Sequence, residues 1–126
     1  MSKLYDVAVV GATGAVGETM LSILEERNFP VNNVYALASS KSVGKRIPFK
    51  GQNLKVENLA EFDFSKAQIG LFSAGASVSA EYAPKAAAAG CVVVDNTSQF
   101  RYQDDIPLIV PEVNPEKIAD YKNRGI

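Results

Sequence analysis

The sequence predicts an α/β protein built on a Rossmann-type, doubly wound and mostly parallel sheet. Short apolar segments alternate along the chain with amphipathic or alanine-rich segments, the connections are short, and polar segments rich in glycine or serine follow the apolar ones. This alternation is typical of a parallel sheet with right-handed crossovers. The length of 126 residues and the hydrophobic content of 47% indicate one folded domain over residues 1–126.

The first strand and the turn after it carry the main functional signal. Leu4–Val10 is mostly apolar, as in a strand buried on both faces, and leads into turn 11–17, Gly-Ala-Thr-Gly-Ala-Val-Gly. The start of the next helix presents unpaired N–H groups and a positive dipole end, so this turn can hold phosphate. Gly14 would allow close approach of a pyrophosphate, and Gly17 close packing of helix on strand. The placement favours dinucleotide binding over a turn that only reverses the chain.

A helix and a second strand follow this turn. Apolar residues from Val16 to Leu24 recur at helical spacing, and Pro30 is expected to end the helix. Val34–Ala38 is the predicted second strand.

The loop after the second strand distinguishes between two cofactors. An NAD site usually places Asp or Glu here to bond the ribose hydroxyls. This loop has no acid and offers the hydroxyls and cations that a 2′-phosphate requires, among them Ser39, Lys41 and Ser42. We therefore expect NADP as the preferred cofactor. A solvated basic loop is the alternative, and tolerance of NAD stays open because lysine is a less specific phosphate partner than arginine.

The middle of the chain predicts a hairpin, a strand and a helix. Arg46–Lys50 and Leu54–Asn58 flank a Gly-Gln turn and suggest a peripheral hairpin, and Ile69–Phe72 is a buried strand. Ser79–Ala89 is predicted to be helical and to stop at Gly90. Pro84 within it implies a kink, or a helix that starts later than Ser79.

Three elements complete the pattern, namely strands at Cys91–Val94 and Pro107–Val110 and a helix at Pro115–Tyr121. Ligands of parallel sheets bind at the carboxyl ends of the strands. The polar segments all follow predicted strands, and we expect them to converge at one edge of the sheet; they are 11–17, 39–42, 73–77 and 95–101. The small residues Ser73, Ala74 and Gly75 would let the backbone pass alongside a cofactor.

Two further side chains invite a catalytic or binding interpretation. Arg101 follows a strand, where its guanidinium could hold a carboxylate or phosphate, although composition alone favours an ordinary surface arginine. Cys91 opens an apolar strand and has no histidine to activate it, so we interpret it as core and not as a nucleophile. The acidic residues lack metal-ligand spacing, and no metal site is expected.

Charge and composition exclude several classes of partner. The net charge is −1 and no apolar run approaches the roughly 20 residues of a membrane span, so we expect neither nucleic acid nor membrane as partner. One cysteine and no secretory signal indicate a cytoplasmic location.

Five segments in order resemble the N-terminal part of bacterial aspartate-β-semialdehyde dehydrogenases. They are Val9–Gly17, Leu37–Lys45, Phe72–Gly75, Val94–Arg101 and Val110–Asn114. The resemblance covers essentially the whole chain. It implies an NADP-dependent enzyme that reduces the small-molecule acyl phosphate β-aspartyl phosphate to aspartate semialdehyde. This step feeds lysine, methionine and threonine biosynthesis, and the complete enzyme is expected to be a homo-oligomer.

The resemblance also assigns roles to individual residues. Thr13, Gly14, Ala15 and Val16 match the pyrophosphate loop of the family, which begins at Gly11. The residues of the 2′-phosphate loop are matched by Ser39, Lys41 and Ser42, with Lys41 where arginine is frequent. The substrate-phosphate site is matched by Asn96, Ser98 and Arg101.

One departure from the family limits the expected activity. The family's nucleophilic cysteine lies in an Asn-Pro-Asn-Cys-Ser-Thr-like motif beyond the segment that resembles Val110–Asn114, and this sequence has neither that motif nor a histidine. We expect a cofactor-binding fragment without catalytic residues, inactive alone. Two alternatives remain: part of an N-acetyl-γ-glutamyl-phosphate reductase, or a non-catalytic module for nucleotide binding or protein interaction.

Overall fold

Residues 4–126 are described by a computed structural model, which contains one five-stranded sheet, one hairpin and two α-helices. The strands and helices in chain order are β1 Tyr5–Val10, α1 Ala15–Glu26, β2 Val31–Ala38, β3 Arg46–Phe49, β4 Gln52–Lys55, β5 Glu57–Asn58, β6 Ile69–Phe72, α2 Ala76–Ala88 and β7 Val92–Asp95. The sheet order is β5-β2-β1-β6-β7, and every pair in it is parallel. This confirms the predicted parallel sheet.

The two α-helices cover opposite faces of the sheet. Alternate residues of β1 point to opposite sides, so Val7 and Val9 pack in one core cluster with Leu21 of α1. Ala8 and Val10 belong to a second cluster, which includes Ala83 and Ala86 of α2. The sheet is therefore doubly wound, as predicted, and its central strand is fully buried from Val7 to Val10.

The end of α1 differs from the prediction. The helix ends at Glu26, before Pro30 can act on it. Asn28 adopts a left-handed conformation with φ of 50°. The N–H of Phe29 donates to the Leu24 carbonyl and that of Asn28 to the Glu25 carbonyl, at 3.0 and 3.1 Å. This pair of bonds is a Schellman motif, which ends the helix by satisfying carbonyls of its last turn, so Pro30 is not needed to end it.

Helix α2 also departs from its predicted bounds. It begins at Ala76, three residues before Ser79, and continues through Pro84, so the predicted later start is wrong. Pro84 cannot donate to the carbonyl of Ala80 four residues earlier. Both residues lie on the exposed side of the helix, where water can bond that carbonyl. Gly90 follows the helix with φ of 92°, as predicted for its stop.

The predicted hairpin is shorter than expected and its second arm divides. Strands β3 and β4 form a two-stranded antiparallel sheet, whereas Glu57 pairs with Leu37 of the main sheet. Val56 lies between these two pairings and is fully buried, with its N–H donating to the Lys45 carbonyl at 2.8 Å. Burial of the Val56 side chain therefore marks the point at which the second arm stops pairing with β3 and begins to pair with β2.

No strand forms at 107–110, so the prediction for Pro107–Val110 is wrong. The side chain of Asn114 accepts from the N–H of Val110 at 2.8 Å and donates to the Leu108 carbonyl at 2.9 Å. These bonds use backbone groups that a strand would pair. The last predicted helix is a 3₁₀ helix, Pro115–Asn123, and not an α-helix.

The remaining differences are small shifts of strand ends. Strand β2 begins at Val31, three residues before the predicted start, and β7 covers Val92–Asp95 where Cys91–Val94 was predicted. In the described part of the chain, no helix is long and apolar enough to cross a membrane.

Candidate cofactor and phosphate site

The four polar segments meet at the carboxyl edge of the sheet. Val10 of β1 is in register with Leu37 of β2 and with Phe72 of β6, and Phe72 is in register with Asp95 of β7. The segments that follow these four residues therefore leave the sheet side by side. The structure confirms the predicted convergence.

Turn 11–17 is fixed to the neighbouring strand by its backbone. The N–H groups of Gly11 and Ala12 both donate to the Leu37 carbonyl, at 2.9 and 3.2 Å, and the N–H of Gly14 donates to the Gly11 carbonyl at 3.0 Å. Helix α1 then starts with Gly14 as its N-cap residue, which has no side chain to cap it. The first N–H groups of the helix lack intrahelical acceptors, and Gly14, Ala15 and Val16 are exposed. Phosphate oxygens fit such a helix start.

The glycines of the turn have separate tasks. A Cβ on Gly17 would lie 2.8 Å from the Cα of Ala12, so this glycine permits the contact between α1 and the turn. A Cβ on Gly14 would meet only the Gly11 carbonyl oxygen, at 3.5 Å, which leaves its surroundings open to a ligand. Gly17 does permit close packing of α1, although against the turn and not against the strand as predicted, and the space at Gly14 fits a pyrophosphate.

Segment 73–75 lies directly against the turn. Gly11 has a φ of 89°, and a Cβ on it would lie 3.1 Å from Ala74. The hydroxyl and the N–H of Ser73 both donate to the Val10 carbonyl, at 3.2 and 3.0 Å. Gly75 is the N-cap residue of α2, with φ of 100° and no neighbour within 4 Å of its would-be Cβ. The segment is thus held close to the turn while Gly75 stays open.

Loop 39–42 presents hydroxyls and one cation, Lys41, to solvent. Ser40–Ser42 forms a 3₁₀ turn in which the N–H of Ser42 donates to the Ser39 carbonyl at 2.9 Å. Ser39 and Lys41 are exposed, and Ser42 is half-buried. Within residues 4–126, Lys41 takes part in no ion pair. Its ammonium group is therefore free to bind an anion.

Loop 96–101 follows β7 at the same edge. The N–H of Asn96 donates to the Phe72 carbonyl at 2.9 Å, which extends the pairing of β7 with β6 by one residue. Asn96, Ser98 and Arg101 are exposed, and among the residues that the structure describes the Arg101 guanidinium has no acidic partner. The three predicted phosphate ligands therefore lie on one short loop with their polar groups accessible.

Sequence reasoning missed three residues that shape this loop, namely Ser79, Asp95 and Thr97. The carboxylate of Asp95 accepts hydrogen bonds from Ser79 and Thr97. The Asp-x-Thr spacing was an available signal, because an Asp side chain often bonds the N–H two residues later. No local pattern could have indicated Ser79, which lies 16 residues from Asp95 in the chain.

Cys91 is part of the core. It is 1% exposed, and desolvation raises the pKa of its thiol to about 11. A Cβ on Gly70 would lie 3.1 Å from its sulfur, so the two residues pack tightly. The interpretation of Cys91 as core is confirmed. No group of three or more metal-ligating side chains occurs in the described residues.

A groove of about 950 Å³ adjoins loop 96–101 on the side of β7. Its lining is mostly apolar and includes Val92, Val94, Ile106 and Leu108, whereas Arg101 contributes a cation. The N–H of Val93 donates to the Gly125 carbonyl at 2.7 Å, so this side of β7 has one backbone bond to the end of the chain. Arg101 lies at the boundary between the polar loop 96–101 and the apolar lining of the groove.

Comparison with known proteins decides the family. The profile described as the semialdehyde dehydrogenase NAD-binding domain matches residues 6–121. The chain belongs to the semialdehyde dehydrogenase family. Turn 11–17, the parallel sheet and loop 96–101 are thus features of a semialdehyde dehydrogenase NAD-binding domain, and the resemblance seen in the sequence is confirmed.

Named relatives of this family match the chain over its full length. An aspartate-semialdehyde dehydrogenase of Legionella pneumophila is 65% identical over 126 residues, which are 100% of this chain and 36% of the relative. The crystal structure of aspartate semialdehyde dehydrogenase II from Vibrio cholerae has a TM-score of 0.97 at 58% identity, over 98% of this chain and 37% of that one. The chain therefore spans little more than a third of the length of these relatives.

A more distant structure carries a cofactor. Aspartate semialdehyde dehydrogenase from Candida albicans, crystallised with NADP, has a TM-score of 0.80 at 28% identity, over 93% of this chain and 36% of that one. The fold is thus shared with an NADP-bound member of the family.

Proposed function

We propose that this chain binds NADP at the carboxyl edge of its sheet, as the cofactor-binding part of an aspartate-semialdehyde dehydrogenase. One observation carries the proposal: the Leu37 carbonyl joins turn 11–17, with its open helix start, to the strand that leads into the acid-free loop 39–42. A phosphate-binding helix start and a cationic loop are thereby adjacent. The match of nearly the whole chain to about a third of the length of enzymes of this name supports the proposal.

Each part of the nucleotide would have its own contacts. The pyrophosphate would accept hydrogen bonds at the start of α1 and lie along turn 11–17, which contributes Gly11, Thr13, Gly14, Ala15 and Val16. Ser73, Ala74 and Gly75 would border the same space, since Ala74 packs against Gly11. The 2′-phosphate would be bound by Ser39, Lys41 and Ser42. NADPH, when bound, would supply a hydride.

For the complete protein we propose reductive dephosphorylation of β-aspartyl phosphate to aspartate semialdehyde. Asn96, Ser98 and Arg101 would bind the phosphate of this acyl-phosphate substrate, because they are exposed on one loop and the Arg101 guanidinium is unpaired within residues 4–126. The buried neutral thiol of Cys91 would take no part. The reaction would serve lysine, methionine and threonine biosynthesis.

We also propose that the complete protein is a cytoplasmic homo-oligomer. A single free and buried cysteine suits a reducing compartment. Exposed apolar side chains such as Leu108 and Val113 provide surface that a second copy could cover.

Calorimetric titration with NADP⁺ and NAD⁺ tests the cofactor assignment. We expect NADP⁺ to bind, and Lys41→Ala to weaken NADP⁺ about tenfold while leaving NAD⁺ affinity unchanged, because only NADP⁺ carries the 2′-phosphate. Lys66→Ala is the matched control, since Lys66 is an exposed lysine on the connection into the amino end of β6. No binding of NADP⁺, or equal losses for both nucleotides, would contradict the proposal.

A further inference from the structure

The carboxylate of Asp95 connects two elements at the candidate site. Asp95 is the last residue of β7 and is half-buried. Its Oδ1 accepts from the hydroxyl of Ser79 at 3.0 Å and from the N–H of Thr97 at 2.9 Å, and its Oδ2 accepts from the hydroxyl of Thr97 at 3.0 Å. Within residues 4–126 it forms no ion pair, so these donors provide its charge-assisted hydrogen bonds.

Ser79 provides the connection to α2. Its side chain is fully buried, and its N–H donates to the Gly75 carbonyl at 3.1 Å, which places it one turn after the start of the helix. Gly75 belongs to the segment that lies against turn 11–17. A buried hydroxyl needs a partner, and Asp95 supplies it. The bond between Ser79 and Asp95 therefore fixes the end of β7 relative to the start of α2 and to segment 73–75.

Thr97 provides the connection to loop 96–101. Its two bonds to Asp95 turn the chain directly after β7. Three residues later Phe100 is buried, so the loop is anchored at both of these points. Of the residues between and beside the anchors, Asn96, Ser98 and Arg101 are exposed. The anchors thus determine where the proposed phosphate ligands lie.

We propose that Asp95 is a positioning residue for the phosphate-binding loop. Through Ser79 and Thr97 it holds loop 96–101 at a fixed place relative to the start of α2. The proposed phosphate ligands therefore keep a fixed position relative to segment 73–75, which borders the proposed cofactor site. The inference rests on the proposed function in one respect, namely that this loop binds the substrate phosphate. Asp95 itself does not contact the substrate in this arrangement.

Four variants separate positioning from general stability. Asp95→Ala removes all three bonds, whereas Asp95→Asn keeps an Oδ1 that can accept from Ser79 and Thr97. The matched control is Asp63→Ala, because Asp63 accepts in the same pattern from the N–H and hydroxyl of Ser65, at 3.0 and 2.7 Å, away from the site. Thr97→Val removes one hydroxyl and keeps the Asp95 carboxylate, in case Asp95→Ala does not fold.

Two NMR measurements on the 126-residue chain provide the readouts. Amide hydrogen exchange at residues 97–101 reports on the loop, and titration with inorganic phosphate, followed at Ser98 and Arg101, reports on its ligand. We expect Asp95→Ala to accelerate exchange and to weaken phosphate binding by about tenfold each, with NADP⁺ affinity within about twofold. Asp95→Asn should recover most of both losses, Thr97→Val should show part of them, and Asp63→Ala should show neither.

The outcomes distinguish this inference from the proposed function. Unchanged loop exchange in Asp95→Ala, or an Asp63→Ala variant with the same loop exchange as Asp95→Ala, would overturn the positioning role. An Asp95→Asn variant as impaired as Asp95→Ala would also overturn it. Absence of any phosphate response in the unmodified chain would instead contradict the proposed phosphate site, while the exchange comparison would still decide whether Asp95 holds the loop.

Discussion

Gly17 packs against Ala12 so closely that a Cβ on Gly17 would lie 2.8 Å from the Cα of Ala12 and would overlap the Gly11 carbonyl oxygen. Backbone atoms cannot move aside as a flexible side chain can. We therefore expect Gly17→Ala to lower the free energy of unfolding by about 2 kcal/mol, although alanine has the better helix propensity by about 1 kcal/mol. Urea denaturation measures this loss.

Gly14→Ala is the control for this prediction. Its Cβ would meet only the Gly11 carbonyl oxygen, at the ordinary distance of 3.5 Å. We expect stability to change by less than about 1 kcal/mol, because the cost is only that of a poorer N-cap residue. NADP⁺ affinity should fall, since the methyl group occupies the open helix start. A Gly17→Ala variant as stable as Gly14→Ala would contradict the packing argument.

Asn28 follows the end of α1 in a left-handed conformation. Whether its replacement lowers or raises the free energy of unfolding depends on the new residue. With φ of 50°, Asn28→Ala should lower the free energy of unfolding by about 1 kcal/mol. Asn28→Gly should be neutral or stabilising, because glycine has no Cβ to strain. Thermal unfolding of the two variants provides the comparison, and equal melting temperatures would rule out Cβ strain at this position as the cause.

The thiol of Cys91 makes stability depend on alkaline pH. Burial raises its pKa from 9.0 to about 11. Between these values the unfolded chain loses the thiol proton while the folded chain keeps it, so the free energy of unfolding falls as pH rises from about 9 to about 11. Below pH 9 both states hold the proton, and the contribution is constant.

Cys91→Ala isolates this contribution, because the other titrating groups are the same in both proteins. We expect the stability advantage of the unmodified chain over Cys91→Ala to shrink by about 1–2 kcal/mol between pH 8.5 and pH 11. Urea denaturation at several pH values gives the difference. A difference that does not vary with pH would show that the thiol ionises equally in both states.

Exposed apolar side chains between residues 102 and 118 should promote self-association. Half of the large exposed hydrophobic side chains in residues 4–126 lie in this segment, with Leu108 at 55% and Val113 at 77% exposure. Sedimentation velocity should show concentration-dependent association, which the double variant Leu108→Ser, Val113→Ser reduces. Ile23→Ser, on the exposed side of α1, is the control. Association unaffected by the double variant would place the contact elsewhere.

The sequence was sufficient for four of the five strands of the sheet, β2, β1, β6 and β7, because these strands are short, mostly apolar runs that become buried. Val7–Val10 and Ile69–Phe72 were predicted correctly for this reason, and the convergence of the polar segments follows from parallel pairing. The roles of Gly14 and Lys41 rest on residue type and on place in the chain, which are visible without coordinates.

The incorrect or missed predictions depend on contacts that the pattern of residues within each segment does not show. Pro107–Val110 has the composition of a strand, but a side chain four residues beyond it, Asn114, bonds the Val110 N–H. The chain leaves the hairpin directly after Val56, whose side chain is fully buried, and this burial is decided only by tertiary packing. Asp95 bonds to Ser79, which lies 16 residues away in the chain, so a pattern of neighbouring residues could not predict this hydrogen bond.

The double winding of the sheet has a consequence for the approach of a ligand. Helices α1 and α2 lie on opposite faces, yet both begin at the carboxyl edge, and each helix start acts as roughly half a positive charge. Exposed Lys41 and Lys45 follow the neighbouring strand. In a protein of net charge −1, these groups concentrate positive charge at this edge, which also holds the carboxylates of Glu18 in the first turn of α1 and Asp95 at the end of β7. An anionic dinucleotide would be steered to that edge before any contact forms, and its association rate would fall as added salt screens the field.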